Sequence, residues 1–212
     1  MNLESERLIE DIMSNDYITK YVFGKHGKGR HGRPKSKSWT KLNRMETWFL
    51  EVECLRRLTE NFKCHCDNKY ENHFPKLVSC DINNKSITMA NCGETLVSLR
   101  KQKKFIEILD YKEQCACISK NLKENGILHC DLNPVGNNVC LNEKTNCISV
   151  IDFDWVKVDG YMKSNDPVNS KERLSEESWG ENLLLLNYEN YINEKCDWCN
   201  YFGMNDVPDW IR

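Results

Sequence analysis

Apolar residues recur at two periods along the chain, and each period predicts a different kind of element. Between residues 45 and 60, Trp48, Val52, Leu55 and Leu58 fall on one helical face, joined by Phe49. Leu8, Ile9, Ile12 and Met13 predict a short amphipathic helix within residues 1–14. Further helices are expected over 96–104, over 105–123 (with Ile106, Leu109, Cys117 and Ile118 apolar and Asn125-Gly126 as its C-cap) and over 179–192. Strands are expected at 17–23, at 73–80 and 86–89 around a turn holding Asn83-Asn84, and at 139–141 and 148–151 around the polar stretch Asn142 to Asn146. Residues 61–73 and 159–172 are polar and read as loops. Short hairpin-linked strands among separate helices make this an α+β chain.

The last hairpin carries the densest chemistry. Asp131 and the pair Asn137/Asn138 precede its first strand, and Asp152 follows its second. A tight hairpin sets the start of one strand beside the end of the other, so Asn138 and Asp152 should lie close, with Asp131 on the loop before them. Oxygen donors meeting at a strand edge suit Mg²⁺, which commonly keeps phosphates among its other ligands. A third carboxylate nearby can orient a hydroxyl for attack.

His129-Cys130-Asp131-Leu132, the following Asn, and Asp152-Phe153-Asp154 resemble the H-x-D-L, metal-binding Asn and D-F-G of protein-kinase-like phosphotransferases. The resemblance implies that Asp131 is the catalytic base and that an Asn and Asp152 hold Mg²⁺. The family places its Asn five residues after the Asp, whereas here the candidates stand at six (Asn137) and seven (Asn138). Asn138 is preferred because it abuts the strand. Asp154 replaces the family's Gly, and Cys130 replaces the Arg that couples to activation-loop phosphorylation, so that control is not expected.

The likeness extends upstream in the family's order. Glu51 lies on the apolar stripe of the 45–60 helix, where a carboxylate needs a cation partner, while Glu53 is placed to pair with Arg57 on the wet side. Glu51 resembles the family's αC glutamate, which holds the lysine that grips the nucleotide phosphates. Tyr17-Ile18-Thr19-Lys20 resembles the family's V-A-I-K, which makes Lys20 the first choice for that lysine and Lys41 the alternative. By the same resemblance, residues 90–94 form the hinge that meets adenine, with Asn91 and Cys92 in it and Met89 as gatekeeper. The implied fold is one domain over 1–212 with two lobes. A small antiparallel sheet plus αC helix would occupy 15–92, and a reduced helical lobe 93–212.

At 212 residues with 40% hydrophobic residues and a net charge of −2, the chain fits one globular domain whose average charge names no partner. No run approaches the roughly 18 apolar residues of a membrane span. The acidic N-terminus lacks a signal peptide's pattern, so a reducing cytoplasmic setting without a membrane partner is expected. There the twelve cysteines are expected as thiols. Cys64-His65-Cys66 and Cys196-Asp197-Trp198-Cys199 look like zinc-site fragments, but neither holds four ligands, and free thiols are the preferred reading.

Nine Lys/Arg and no acid lie between Tyr17 and Met45. That stretch includes Gly27-Lys28-Gly29-Arg30-His31-Gly32, a formal phosphate-loop pattern followed by Arg33-Pro34-Lys35, which is no strand. A basic loop that draws in anions is the plainer reading.

The expected function is ATP- and Mg²⁺-dependent phosphotransfer to a hydroxyl of an unidentified protein or small-molecule acceptor. Asn133 stands where Ser/Thr protein kinases carry Lys, and no A-P-E follows, so a peptide groove is not evident. The alternatives are a pseudokinase scaffold and, behind it, a nucleic-acid module built on the basic stretch. No aromatic placement near that stretch supports base stacking.

Overall fold

The computed structural model describes residues 16–22, 44–67, 69–132, 136–154, 156–160 and 179–192. The N-terminal helix, the glycine pattern at 27–32, Lys41, Asn133, most of the polar stretch after Asp159, and Cys196 and Cys199 lie outside them.

Strand β1 (Tyr17–Tyr21) is followed by helix α1 (Arg44–Asn61), then by β2 (Leu77–Asp81) and β3 (Ser86–Ala90). Next come β4 (Glu94–Thr95), α2 (Leu96–Lys101), α3 (Tyr111–Glu124) and β5 (Ile127–His129). Strands β6 (Val139–Asn142), β7 (Cys147–Val150) and β8 (Val156–Val158) and helix α4 (Trp179–Ile192) complete the described order. The strands form three small antiparallel sheets, in the orders β1-β3-β2, β4-β6-β7 and β5-β8. The fold is therefore mixed helix and strand with small antiparallel sheets.

In the first sheet β3 is central, and its alternation buries Ile87 and Met89. Helix α1 packs against β2 on one side and β8 on another, which explains why its buried surface is wider than the stripe read from the sequence. Trp48, Leu55 and Leu58 are buried as expected, Leu50 and Cys54 join them, and Phe49 is exposed instead. Glu53 pairs with Arg57 (2.8 Å), but not in water. The Arg57 guanidinium also donates to the carbonyls of Asn125 (3.1 Å) and Asp159 (3.2 Å), so the pair clamps α1 to the end of α3.

Two expected elements are shorter than their patterns. The helix expected over 105–123 begins at Tyr111. Lys103 and Asp110 take left-handed φ values, and the N–H groups of Ile106, Ile108 and Leu109 donate to Tyr191 Oη, Tyr188 Oη and Asn146 Oδ1. Side-chain acceptors thus replace the helical ladder. Likewise the strand expected from His73 starts only at Leu77, because His73 and Phe74 turn into the core and Pro75 follows.

Helix α4 lies on α3, with Tyr188 stacked on Tyr111 (centroids 4.0 Å apart) and the Tyr111 hydroxyl donating to the Leu184 carbonyl. No helix among the described residues is long and apolar enough to cross a membrane.

The segment between β3 and β4 depends on Gly93. Its φ is +93°, and a Cβ there would stand 2.2 Å from the Leu141 carbonyl oxygen. Gly93→Ala is expected to destabilise the fold by about 2–4 kcal/mol through strain and clash. Equilibrium denaturant unfolding checks this, and an unchanged midpoint would mean the segment moves aside.

Candidate active site

Strand β1 carries Lys20 opposite Ile87 in β3, which aims its side chain toward α1. The Lys20 ammonium donates to Glu51 Oε1 at 2.7 Å and to Asp152 Oδ1. One cation thus joins a strand, a helix and the loop after β7. Glu51 is almost wholly buried (1% exposed), while Lys20 and Asp152 keep about a third of their side chains in solvent (29% and 34%). The second Glu51 oxygen, Oε2, is buried with no hydrogen-bond partner among the described residues.

Burial pushes the Glu51 carboxyl up, to about 7, against the attraction of Lys20. Burial also acts to discharge Lys20, but the Glu51 and Asp152 carboxylates outweigh it and hold the ammonium above the usual lysine range. Lys20 is therefore charged throughout the neutral range.

The second half of the cluster grows from β5. His129, buried at the end of that strand, faces the Ile151 carbonyl through Nε2 (3.0 Å) and the Asp131 N–H through Nδ1 (3.3 Å). Accepting at Nδ1 requires the proton to sit on Nε2, which donates to Ile151, and burial depresses the ring's basicity in keeping with that neutral form. One imidazole thereby ties the Asp131 backbone to Ile151, the residue before Asp152. Phe153 is fully buried against His129 (5.0 Å between ring centroids) and Phe74 (6.2 Å), which anchors the residue after Asp152. Asp152 itself takes φ +66°, an uncommon left-handed conformation for a non-glycine residue.

The hairpin register pairs Val139 with Val150, and the Ile151 N–H donates to the Asn138 carbonyl at 3.0 Å. Asn138 therefore lies across from Ile151, next to Asp152 in the chain. It is buried, and its Nδ2 donates to the Asp131 carbonyl oxygen (2.8 Å) and to Asp131 Oδ2 (3.2 Å). Asn137 is exposed. Because Nδ2 is committed to Asp131, the Asn138 carboxamide oxygen is left to face elsewhere. Carboxamide and carboxylate oxygens are hard donors of the kind Mg²⁺ prefers, and Asn138 and Asp152 offer one of each.

Met89 is buried in the first sheet, between Ile18 and Leu77 in register. The Asn91 N–H donates to the Asp16 carbonyl (2.6 Å), and its Oδ1 accepts from the Gly93 N–H (3.0 Å). Burial pushes the half-buried Cys92 thiol up to about 11, so it stays protonated. A cleft of about 630 Å³ opens beside Asn91 and Cys92, lined also by Phe62, Tyr70 and Ser149. It includes none of Lys20, Asp131, Asn138 or Asp152, and so is separate from the charged cluster.

The structure thus gathers Lys20, Glu51 and Asp152 in one contact network and Asp131 with Asn138 in another, joined through His129 and Ile151. His129 and Phe153 do positioning work that the motif alone did not assign. A histidine two residues before a key aspartate, and an apolar residue straight after the other, were the available signals.

No protein-family model matches the sequence, and no curated protein is similar to it. Among solved structures, a kinase of Cydia pomonella granulovirus, PK-1, is 14% identical and aligns over 97% of this chain and 80% of its own, with a TM-score of 0.47. The functional reading therefore rests on the residues.

Lys20→Met would leave Glu51 buried without its cation and is expected to destabilise by about 2–4 kcal/mol. Adding Glu51→Gln should recover much of that loss in a double-mutant cycle, and simple additivity would contradict the pairing. The pH dependence carries a matching sign. With its carboxyl raised from 4.5 to about 7, Glu51 favours the folded state fully below pH 4.5, and that contribution disappears as pH rises through 7. Denaturation midpoints measured from pH 4 to 9 should show this decline in wild type. In Glu51→Gln it should be absent, and in Lys20→Met it should move to higher pH.

Proposed function

We propose that the chain is a kinase-like phosphotransferase with two lobes, which binds ATP with Mg²⁺ and passes the γ-phosphate to a hydroxyl acceptor. The observation that carries this reading is the Lys20 ammonium held between Glu51 and Asp152. A permanent cation fixed by one buried carboxylate, beside a second carboxylate that is partly open, suits polyphosphate neutralisation. The first sheet with α1 would form one lobe and the elements from β4 onward a reduced second lobe, with the 90–93 segment between them and the adenine beside Asn91 and Cys92.

In this reading Asp131 accepts the proton of the acceptor hydroxyl as its oxygen bonds to the γ-phosphorus and the bond from that phosphorus to the β-phosphate oxygen breaks, releasing ADP. Asn138 keeps the Asp131 carboxylate oriented through the 3.2 Å bond to Oδ2. His129 holds the same loop through the Asp131 backbone. Lys20 offsets charge on the phosphates, with Glu51 preventing its withdrawal into solvent. Asn138 and Asp152 would hold Mg²⁺, which supplies further charge neutralisation when bound. The acceptor class follows from no residue described above.

Transfer of labelled γ-phosphate from ATP to a panel of hydroxyl-bearing small molecules and proteins tests the proposal. Asp131→Asn is expected to lower kcat about 10²–10⁴-fold, with the fold intact by thermal melting. Transfer undiminished in Asp131→Asn would overturn the assignment of the base. Its absence from wild type across the panel, together with no nucleotide binding, would overturn the enzyme.

A further inference from the structure

Away from the charged cluster, the loop after α1 meets the outer side of α3. Cys64 and Cys66 stand on that loop and Cys117 on the helix, more than fifty residues along, yet their three sulfur atoms all lie within 4.8 Å of one another. Cys66 and Cys117 are buried and Cys64 is partly exposed, which leaves a path in from solvent. These are reduced thiols.

The surroundings are those of a metal site rather than a packed apolar cluster. The His65 N–H donates to Cys117 Sγ at 3.2 Å, and Asn121 Nδ2 approaches the same sulfur at 3.6 Å. Burial pushes the Cys66 and Cys117 thiols up, and the donors on Cys117 work against it, so a bound cation would be needed to hold the thiolates. On the other side, His73 Nε2 lies 3.5 Å from Cys66 Sγ, while His73 Nδ1 is 2.8 Å from the Ile148 carbonyl oxygen. Nδ1 must donate there, since a carbonyl only accepts, and this leaves the Nε2 lone pair facing Cys66 Sγ. Phe62 and Tyr70 pack edge-on or tilted against the ring (5.9 and 5.3 Å) and hold that orientation.

We propose that Cys64, Cys66 and Cys117 bind one zinc ion as thiolates, with a water molecule completing the tetrahedron. Tetrahedral zinc with Zn–S of about 2.3 Å places sulfur atoms about 3.8 Å apart. The sulfurs, all within 4.8 Å of one another, need contract by no more than about 1 Å. Binding releases the three thiol protons, and the ion would join two segments distant in sequence, so its role is structural. It would fasten the loop after α1 to α3, beyond the C-terminal end of α1. Cys66 Sγ also contacts His73 Nε2, and the His73 carbonyl accepts from the Val150 N–H at 3.0 Å, so the site borders the strand that leads into Asp152.

The test is metal analysis of the full chain purified without chelator, followed by cobalt(II) titration of the metal-free protein. About one zinc per chain is expected, falling at least about tenfold in Cys117→Ser and Cys66→Ser but unchanged in Cys80→Ser, whose thiol is exposed elsewhere. Cobalt should give thiolate-to-metal charge transfer and the strong visible bands of a tetrahedral site. A folded wild type that takes up neither metal, or one in which two of the three cysteines are found as a disulfide, overturns the site. Because the cobalt spectrum is read on wild type, a cysteine variant that fails to fold leaves the test intact.

Discussion

A single ammonium group shared by two carboxylates is the constraint on which the rest of this structure depends. Lys20 comes from a strand, Glu51 from a helix and Asp152 from the loop after a hairpin, and no two of these are near in sequence. Glu51 is desolvated to the point that its own ionisation becomes costly, and its position is tolerable only because Lys20 reaches it. The ion pair therefore fixes the spacing between the first sheet and α1. Through Asp152 it also fixes the approach of the hairpin. The clamp of Arg57 on the Asn125 and Asp159 carbonyls does the same further along the helix, so α1 is held at two points by charge as well as by its apolar surface.

Around that pair, the polar loop between β5 and β6 is held by bonds that each serve two residues. His129 joins the Asp131 backbone to Ile151, and Asn138 joins both the backbone and the carboxylate of Asp131 to the start of β6. Phe153 supplies the apolar anchor that holds Asp152 in an uncommon backbone conformation. Strain kept in place by well-packed neighbours is often found where a side chain must be presented to a ligand. Beyond the C-terminal end of α1, the proposed zinc clip would brace the same helix through the loop that follows it.

Much of this was legible in the sequence because the relevant signals are local. The β6–β7 hairpin follows from two apolar runs around Asn142 to Asn146, and α1 from its 3.6-residue period. That Glu51 needs a cation partner followed from the cost of burying a lone carboxylate, while the choice of Lys20 over Lys41 came from the resemblance of its strand to V-A-I-K. What the pattern could not supply was the effect of distant partners. The stretch 105–110 has helical apolar spacing but is extended, since its N–H groups find Tyr188, Tyr191 and Asn146, two of them on a helix some eighty residues later. Phe49 is exposed and Leu50 and Cys54 are buried because α1 packs against both β2 and β8, which no single stripe encodes. Cys64 and Cys66 carry no sign of Cys117, since a metal-site spacing is readable only when its ligands are neighbours in sequence.

The central claim, a nucleotide–magnesium site built on Lys20, Asp152 and Asn138, is tested most directly by thermal unfolding with and without ATP and Mg²⁺, on wild type and on Asp152→Asn. Ligand at 100 times its Kd stabilises by about 2.7 kcal/mol. For a chain of this size that corresponds to a rise in Tm of about 5–10 °C. The expected result is such a rise in wild type, dependent on the metal and abolished in Asp152→Asn. No rise in wild type at millimolar ATP, or an equal rise in Asp152→Asn, would contradict it.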